Sequence, residues 1–326
     1  MELIMLLVVL TVFIMVVITF GAYKISSTVL INNSFSNKKQ DTLNGDDAYN
    51  YNSELAAIGQ KQTFSILSPK GYKLSCIFLK QIQQFKGDIK VVILVPSLCD
   101  KDKVFKNQPS YDIDFINIFF QNGFDVFLYD VEATYRGSPI CSMGYYEKDD
   151  LKTVTNWVYN FYDNTAVVGT FGMGAGAATA IMHAAKEKRL SFIIADSPFT
   201  NLREYLKRKL RADYNITSFP ILKISELIIK KRGGFNIKDV SPLQTLKNDE
   251  MSTPIFFIYT DEDIYTPPNM LVELYNNKSV GYKKYYYAKN SGHCEGFNKN
   301  PQEYRKKIIE FFKETEILKI EEIKKE

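Results

Sequence analysis

The fold is decided by one run of the chain: Ala166-Val167-Val168-Gly169-Thr170-Phe171-Gly172, then Met173-Gly174-Ala175-Gly176, then the helical pattern that continues to Lys188. The first seven residues are apolar and partly β-branched, which predicts a buried strand. Residues 174–188 place Ala177, Ala178, Ile181 and Ala185 where a helix packs on its neighbours. Three glycines in five positions separate the two elements. Strand, sharp turn, helix is the setting of the G-x-S-x-G pattern, whose central serine stands exposed on a strained backbone. The centre of this turn is Gly174, so the residue that suits the geometry carries no nucleophile.

Outward from this turn the periodicity alternates between strand and helix. Residues 64–67 and 74–79 predict a hairpin around Pro69-Lys70-Gly71. Strands are expected at 91–95, 126–129, 192–195, 255–259 and 284–287, with helices at 113–120, about 151–159 and 301–318. Continuous apolar strands alternating with helices mean a mostly parallel central sheet flanked by helices on both faces. One segment interrupts the rhythm. Residues 201–240 read as a helical insertion, expected to form a cap, and between Arg203 and Arg232 it holds nine Lys or Arg against three acids.

The N-terminus differs from everything after it. Residues 3–23 carry no charge, and a helix of that length matches a bilayer core. Glu2 is the only charged residue ahead of the run and no small-residue cleavage site closes it, so an uncleaved transmembrane anchor is expected rather than a signal peptide. Residues 24–61 read as a polar tether and 62–326 as the folded domain. Lys24, Lys38 and Lys39 follow the apolar run, which by the positive-inside bias places the domain on the cytoplasmic side of a single-pass membrane protein. A net charge of +4 gives no argument for nucleic acid. Cys76, Cys99, Cys141 and Cys294 show neither metal-ligand spacing nor a disulfide framework. The Gly169-Thr170-Phe171-Gly172 stretch lacks the Lys and Ser/Thr of a phosphate loop. No metal and no cofactor are implied.

The order of parts resembles the α/β-hydrolase superfamily, and within it the membrane-anchored bacterial serine-hydrolase branch with serine aminopeptidase-like domains. The matching places are residues 91–95, the turn at 172–176, Ala195-Asp196-Ser197-Pro198-Phe199, Tyr259-Thr260-Asp261-Glu262-Asp263 before Pro267, and Ser291-Gly292-His293. The resemblance implies an α/β-hydrolase fold with a helical cap and a triad ordered nucleophile, acid, histidine. Asp263 then stands at the acid and His293 at the base, with Gly174 at the nucleophile position. Met173 and Ser97 are the residues expected to supply oxyanion donors. Departures accompany the missing serine: the loop after the 91–95 strand reads Pro96-Ser97-Leu98-Cys99 instead of opening with His-Gly.

Three readings stay open at this point. The first is a non-catalytic hydrolase-fold protein at the membrane that binds a small molecule or acyl chain in the vestigial pocket. The second is an enzyme of the esterase or peptidase class with a displaced nucleophile, Ser197 or Cys99, or with water activated by His293 and Asp263. Cys294 adjoins His293, but neighbouring residues rarely point the same way, so a structural role is expected for it. The third is a scaffold for an unnamed protein partner.

Overall fold

The computed structural model describes residues 2–30, 55–82, 87–97, 111–131, 141–248 and 250–318. Cys99, most of the tether and the C-terminal tail from residue 319 lie outside the described residues, as does the loop at 132–140.

Eight strands form one sheet: β1 Gln60–Leu67, β2 Lys73–Lys80, β3 Lys90–Val95, β4 Phe124–Val131, β5 Val167–Met173, β6 Phe192–Asp196, β7 Ile255–Thr260 and β8 Lys283–Ala288. Their order across the sheet is β1-β2-β4-β3-β5-β6-β7-β8. β1 and β2 form the expected hairpin and β2 pairs antiparallel with β4. All remaining pairs are parallel. The central strand alternates between two cores: Val91, Ile93 and Val95 of β3 enter one, Val92 and Leu94 the other. That two-sided burial explains why β3 reads as an unbroken apolar run.

The helices are α1 Glu2–Leu30, α2 Ile113–Phe120, α3 Glu147–Phe161, α4 Ala175–Ala184, α5 Leu202–Tyr214, α6 Ile221–Gly233, α7 Pro242–Asn248, α8 Pro268–Asn277, α9 Gly296–Lys299 and α10 Pro301–Glu314. Side chains of α3, α4 and α8 pack into the core on one face of the sheet. Those of α2 and α10 pack into the other, where Phe115, Phe119, Phe124, Phe192 and Phe312 interlock. Asp112 caps α2 by accepting from Phe115 N at 2.7 Å, and Asn300 caps α10. The last helix ends at Glu314 rather than the expected 318, because Glu316 turns to a positive φ of 59°.

The insertion is helical as expected, built from α5 and α6. Asn201 opens α5 by accepting from Glu204 N at 2.9 Å, and Asn215 and Gly234 close the two helices in the left-handed region. Helix α1 continues to Leu30, past the end expected at Tyr23, into what the sequence reads as tether. Tertiary contact extends it: Ala22, Ile25 and Ser26 are buried, and Ser225 of α6 donates to the carbonyl of Ala22. Among the described residues no helix is long and apolar enough to cross a membrane.

Candidate active site

The C-terminal rim of the parallel sheet gathers the site from three loops. The first is the turn from β5 into α4. Gly172 and Gly176 are fixed there by close approach: a Cβ on Gly172 would lie 2.4 Å from the carbonyl carbon of Gly176, and one on Gly176 would lie 2.6 Å from the Val95 carbonyl oxygen. Helix α4 therefore starts in direct contact with β5 and with the loop after β3. Between them Gly174 has φ 51° and ψ −114°, a conformation that glycine adopts freely and a side chain does not. Its N–H donates to the carbonyl of Asp196 at 2.8 Å.

The second loop follows β7 and carries Asp263. Its carboxylate is buried and accepts four hydrogen bonds. Oδ1 takes the N–H groups of Tyr265 and Thr266, each at 2.8 Å. Oδ2 takes the Thr266 hydroxyl at 2.5 Å and His293 Nδ1 at 2.6 Å. Burial by itself pushes the carboxyl pKa up, but the hydrogen bonds and charge of His293, with those of Thr266, outweigh it and hold it below the ordinary value.

The third loop, after β8, carries His293 and Cys294. With Nδ1 held by Asp263, the imidazole turns Nε2 toward the elbow. That nitrogen is buried and has no hydrogen-bond partner. A Cβ built on Gly174 would stand 3.5 Å from it, 3.5 Å from Ser97 Oγ and 3.7 Å from Cys294 Sγ. The acid and base are thus in working register with a nucleophile position that has no side chain. The rings of Tyr265 and Tyr205 flank the imidazole at 5.5 and 6.5 Å between centroids. Tyr205 comes from α5, and the Tyr265 hydroxyl donates to Asp213 of the same helix, so the cap is tied to the base.

The structure brings Asp263, His293, Gly174 and Ser97 together, and turns Ser197 away from them. Ser197 is fully buried, and its hydroxyl donates to Asp196 Oδ1 at 2.8 Å rather than facing the histidine. Met173 is the last residue of β5, and the Tyr111 hydroxyl, which donates to the Val95 carbonyl at 2.7 Å, belongs to a ring that packs edge-on against Phe171 of the same strand. Ala175, the residue after Gly174, opens α4, so its N–H lies in a first turn that supplies no intrahelical acceptor. Cys294 does not turn away from His293 as adjacent side chains usually do. A positive φ of 58° at Cys294 breaks the alternation of side-chain direction, and both it and His293 face the same space. Tyr111, Tyr205 and Tyr265 were not singled out by sequence; only Tyr265, two residues after the acid, carried a positional hint.

Behind the elbow, Asp196 is buried beneath the site. It accepts from Tyr304 at 2.7 Å and Ser197, and burial raises its pKa to about 6 despite those bonds. His183, the other histidine, is buried in α4 against Thr155 at 3.2 Å, its pKa lowered by burial to about 4. Among the described residues no three His, Cys, Asp or Glu side chains are grouped to hold a metal ion.

Comparison with known proteins agrees with the fold. The esterase Pf2001 of Pyrococcus furiosus superposes with a TM-score of 0.62 at 21% identity, covering 80% of this chain and 93% of that one. The acylaminoacyl peptidase of Pyrococcus horikoshii superposes with a TM-score of 0.57 at 14% identity, over 78% of this chain and 41% of that one. Both likenesses are of fold. The uncharacterized protein YqkD of Bacillus subtilis (strain 168) is 35% identical over 202 residues, which is 61% of this chain and 65% of that protein. The match therefore spans just under two thirds of the relative's length. Residues 25–219 match the family model of the X-Pro dipeptidyl-peptidases, a match that includes the elbow and stops before Asp263 and His293. With more than half its length matched and the sheet order of an α/β-hydrolase, the chain belongs to the X-Pro dipeptidyl-peptidase (S15) family.

Proposed function

We propose that this protein is an α/β-hydrolase that has lost serine-hydrolase catalysis and acts by binding a small molecule or acyl chain in the vestigial site. One observation carries the reading: His293 Nε2 points, without a partner, at a Gly174 Cβ position 3.5 Å away. A serine there would hand its proton to that nitrogen. Glycine offers no proton and no bond-forming atom, while Asp263 and His293 persist as a hydrogen-bonded pair joining two loops. The ligand would take the space left by the missing side chain, beside Ser97 and Cys294. Fluorophosphonate labelling tests this. The native chain should stay unlabelled and Gly174→Ser should become labelled; labelling of the native chain that disappears in Ser97→Ala would defeat the reading.

The anchoring role of the N-terminus belongs to the same proposal. Leu10, Val12, Phe13, Ile14, Met15, Val16 and Val17 of α1 all stand exposed, which is costly in water and ordinary in lipid. The membrane orientation that follows from Lys24, Lys38 and Lys39 puts the domain on the cytoplasmic side.

A second reading has its own support. Cys294 Sγ lies 3.7 Å from the elbow Cβ position, in the same space as His293 Nε2. A thiolate formed by proton transfer to His293 could attack a carbonyl and pass through a thioester. Iodoacetamide separates the two. Alkylation at Cys294 slowed by His293→Ala would support the thiolate; a rate equal to that of an ordinary thiol in both chains would leave the binding reading.

A further inference from the structure

The cap carries surface that the site beneath it does not use. On α6, Lys223, Leu227, Lys230 and Lys231 are exposed, and their spacing puts them on one face. Ile221, Leu222, Ser225 and Ile229 fill the opposite, buried face. Leu227 is 65% exposed between those lysines. Just ahead, the turn from α5 to α6 presents Tyr214, Ile216 and Phe219, the last 74% exposed. Scattered exposed apolar residues are ordinary. Three large ones in six positions, continued by a leucine set among lysines, have the composition of an element lying in a lipid interface.

The charge of the cap fits the same partner. The three acids between Arg203 and Arg232 are each held by a neighbour: Glu226 by Arg203, Glu204 by Lys207 and Asp213 by Lys209. Arg208, Arg211, Lys223, Lys230, Lys231 and Arg232 have no acidic partner among the described residues. Each basic group near an anionic leaflet adds to its attraction.

Position joins these observations to α1. Gly21 packs on Ile221, where a Cβ would sit 3.3 Å from Cδ1. Ser225 donates to the Ala22 carbonyl at 3.1 Å, and the Arg232 guanidinium lies 5.8 Å from the Tyr23 ring centroid. N-terminal to this contact Leu10, the residues from Val12 to Val17, and Phe20 are exposed and apolar. Helix α1 therefore packs along α6 from Ile221 to Arg232, and its exposed apolar part precedes the contact at Ile221, the end at which Phe219 stands.

We propose that the α5–α6 turn and the Lys223, Leu227 and Lys231 face of α6 rest on an anionic lipid surface, making the cap a second bilayer contact beside α1. The proposal rests on the anchoring reading of α1. It gives the site a lid whose outer surface is on the membrane and whose inner residue, Tyr205, flanks His293.

The test uses the full chain in vesicles of phosphatidylcholine and phosphatidylglycerol with acyl chains brominated near the headgroup. Tryptophan emission is compared for the unaltered chain, Phe219→Trp and Ile82→Trp, with Trp157 as common background. Ile82 is exposed and follows β2, whose Leu79 pairs with Val126 at the start of β4, on the rim of the sheet opposite the cap. The expected result is loss of roughly half the added emission in Phe219→Trp, little loss in Ile82→Trp, and weaker quenching without phosphatidylglycerol. Phe219→Trp emission untouched by bromine and as open to acrylamide as Ile82→Trp would overturn the contact. Equal quenching in phosphatidylcholine alone would remove the anionic lipid. An alkaline carbonate wash separates the two claims: a chain that stays with the vesicles while Phe219→Trp is unquenched defeats the cap contact and leaves the anchor. A chain that washes off defeats both.

Discussion

The two halves of the site have been kept in different currencies. The half after β7 and β8 keeps its side chains: Asp263 accepts four hydrogen bonds, one of them from His293 Nδ1 at 2.6 Å. The half between β5 and α4 keeps only its backbone, with Gly172 and Gly176 in close contact and Gly174 in the elbow conformation. A backbone turn can be retained because helix α4 packs against the sheet, whatever its central residue does. An acid–base pair can be retained because it ties two loops together. Neither fact requires catalysis, and both are compatible with the proposed loss of the nucleophile.

The strongest way to break this comparison is to empty the first half. Asp263→Ala leaves two N–H groups, a hydroxyl and an imidazole without their buried acceptor, and should cost about 3 to 4 kcal/mol in urea unfolding. A loss below about 1 kcal/mol would show that the pair does not hold the loops. Next comes the backbone half. Gly172→Ala drives a Cβ into the Gly176 carbonyl and should cost about 2 to 3 kcal/mol, since helix α4 must move away from the sheet. Gly174→Ser meets only ordinary contacts at 3.5 Å or more, so its cost is conformational, about 1 to 2 kcal/mol for a side chain at φ 51°. A thermal melt unchanged or raised by that substitution would contradict the strain argument.

The remaining test is pH dependence, where two buried groups act in opposite senses. Asp196 has its pKa raised by burial to about 6, so the folded state prefers it protonated. Its contribution to stability is present below the ordinary value of 3.8 and is lost as pH rises through about 6. His183, lowered to about 4, acts in the opposite sense: its contribution is present above 6.5 and is lost as pH falls through about 4. Replacing Asp196 by Asn should therefore remove a falling component of stability between about pH 4 and pH 7 and leave the His183 component exposed. Denaturation midpoints for both chains across that range would check the sign.

Much of this was legible in the sequence because burial writes itself into composition. Residues 91–95 and 255–259 are apolar throughout since both faces of β3 and β7 are covered. The elbow was legible from three glycines, and Asp263 and His293 from their places in the order of strands. What sequence missed depends on backbone direction. Nothing in Ser-Gly-His-Cys announces a positive φ at Cys294, which turns its sulfur beside the imidazole. Nor does a list of residues show that Tyr205, from the insertion, comes to lie beside His293, a residue 88 positions later that only the fold brings near. The continuation of α1 to Leu30 was hidden for a similar reason, since its last turns are held by α6 and not by local propensity.

The most direct test of a site without a nucleophile is hydrolysis of short-chain nitrophenyl esters and aminoacyl amides by the full chain, with His293→Ala and Cys294→Ala beside it. The account predicts no turnover above the His293→Ala background from the native chain or from Cys294→Ala, with all three chains folded. Turnover by the native chain that vanishes in His293→Ala would contradict it, and its loss in Cys294→Ala would name the atom that took the serine's place.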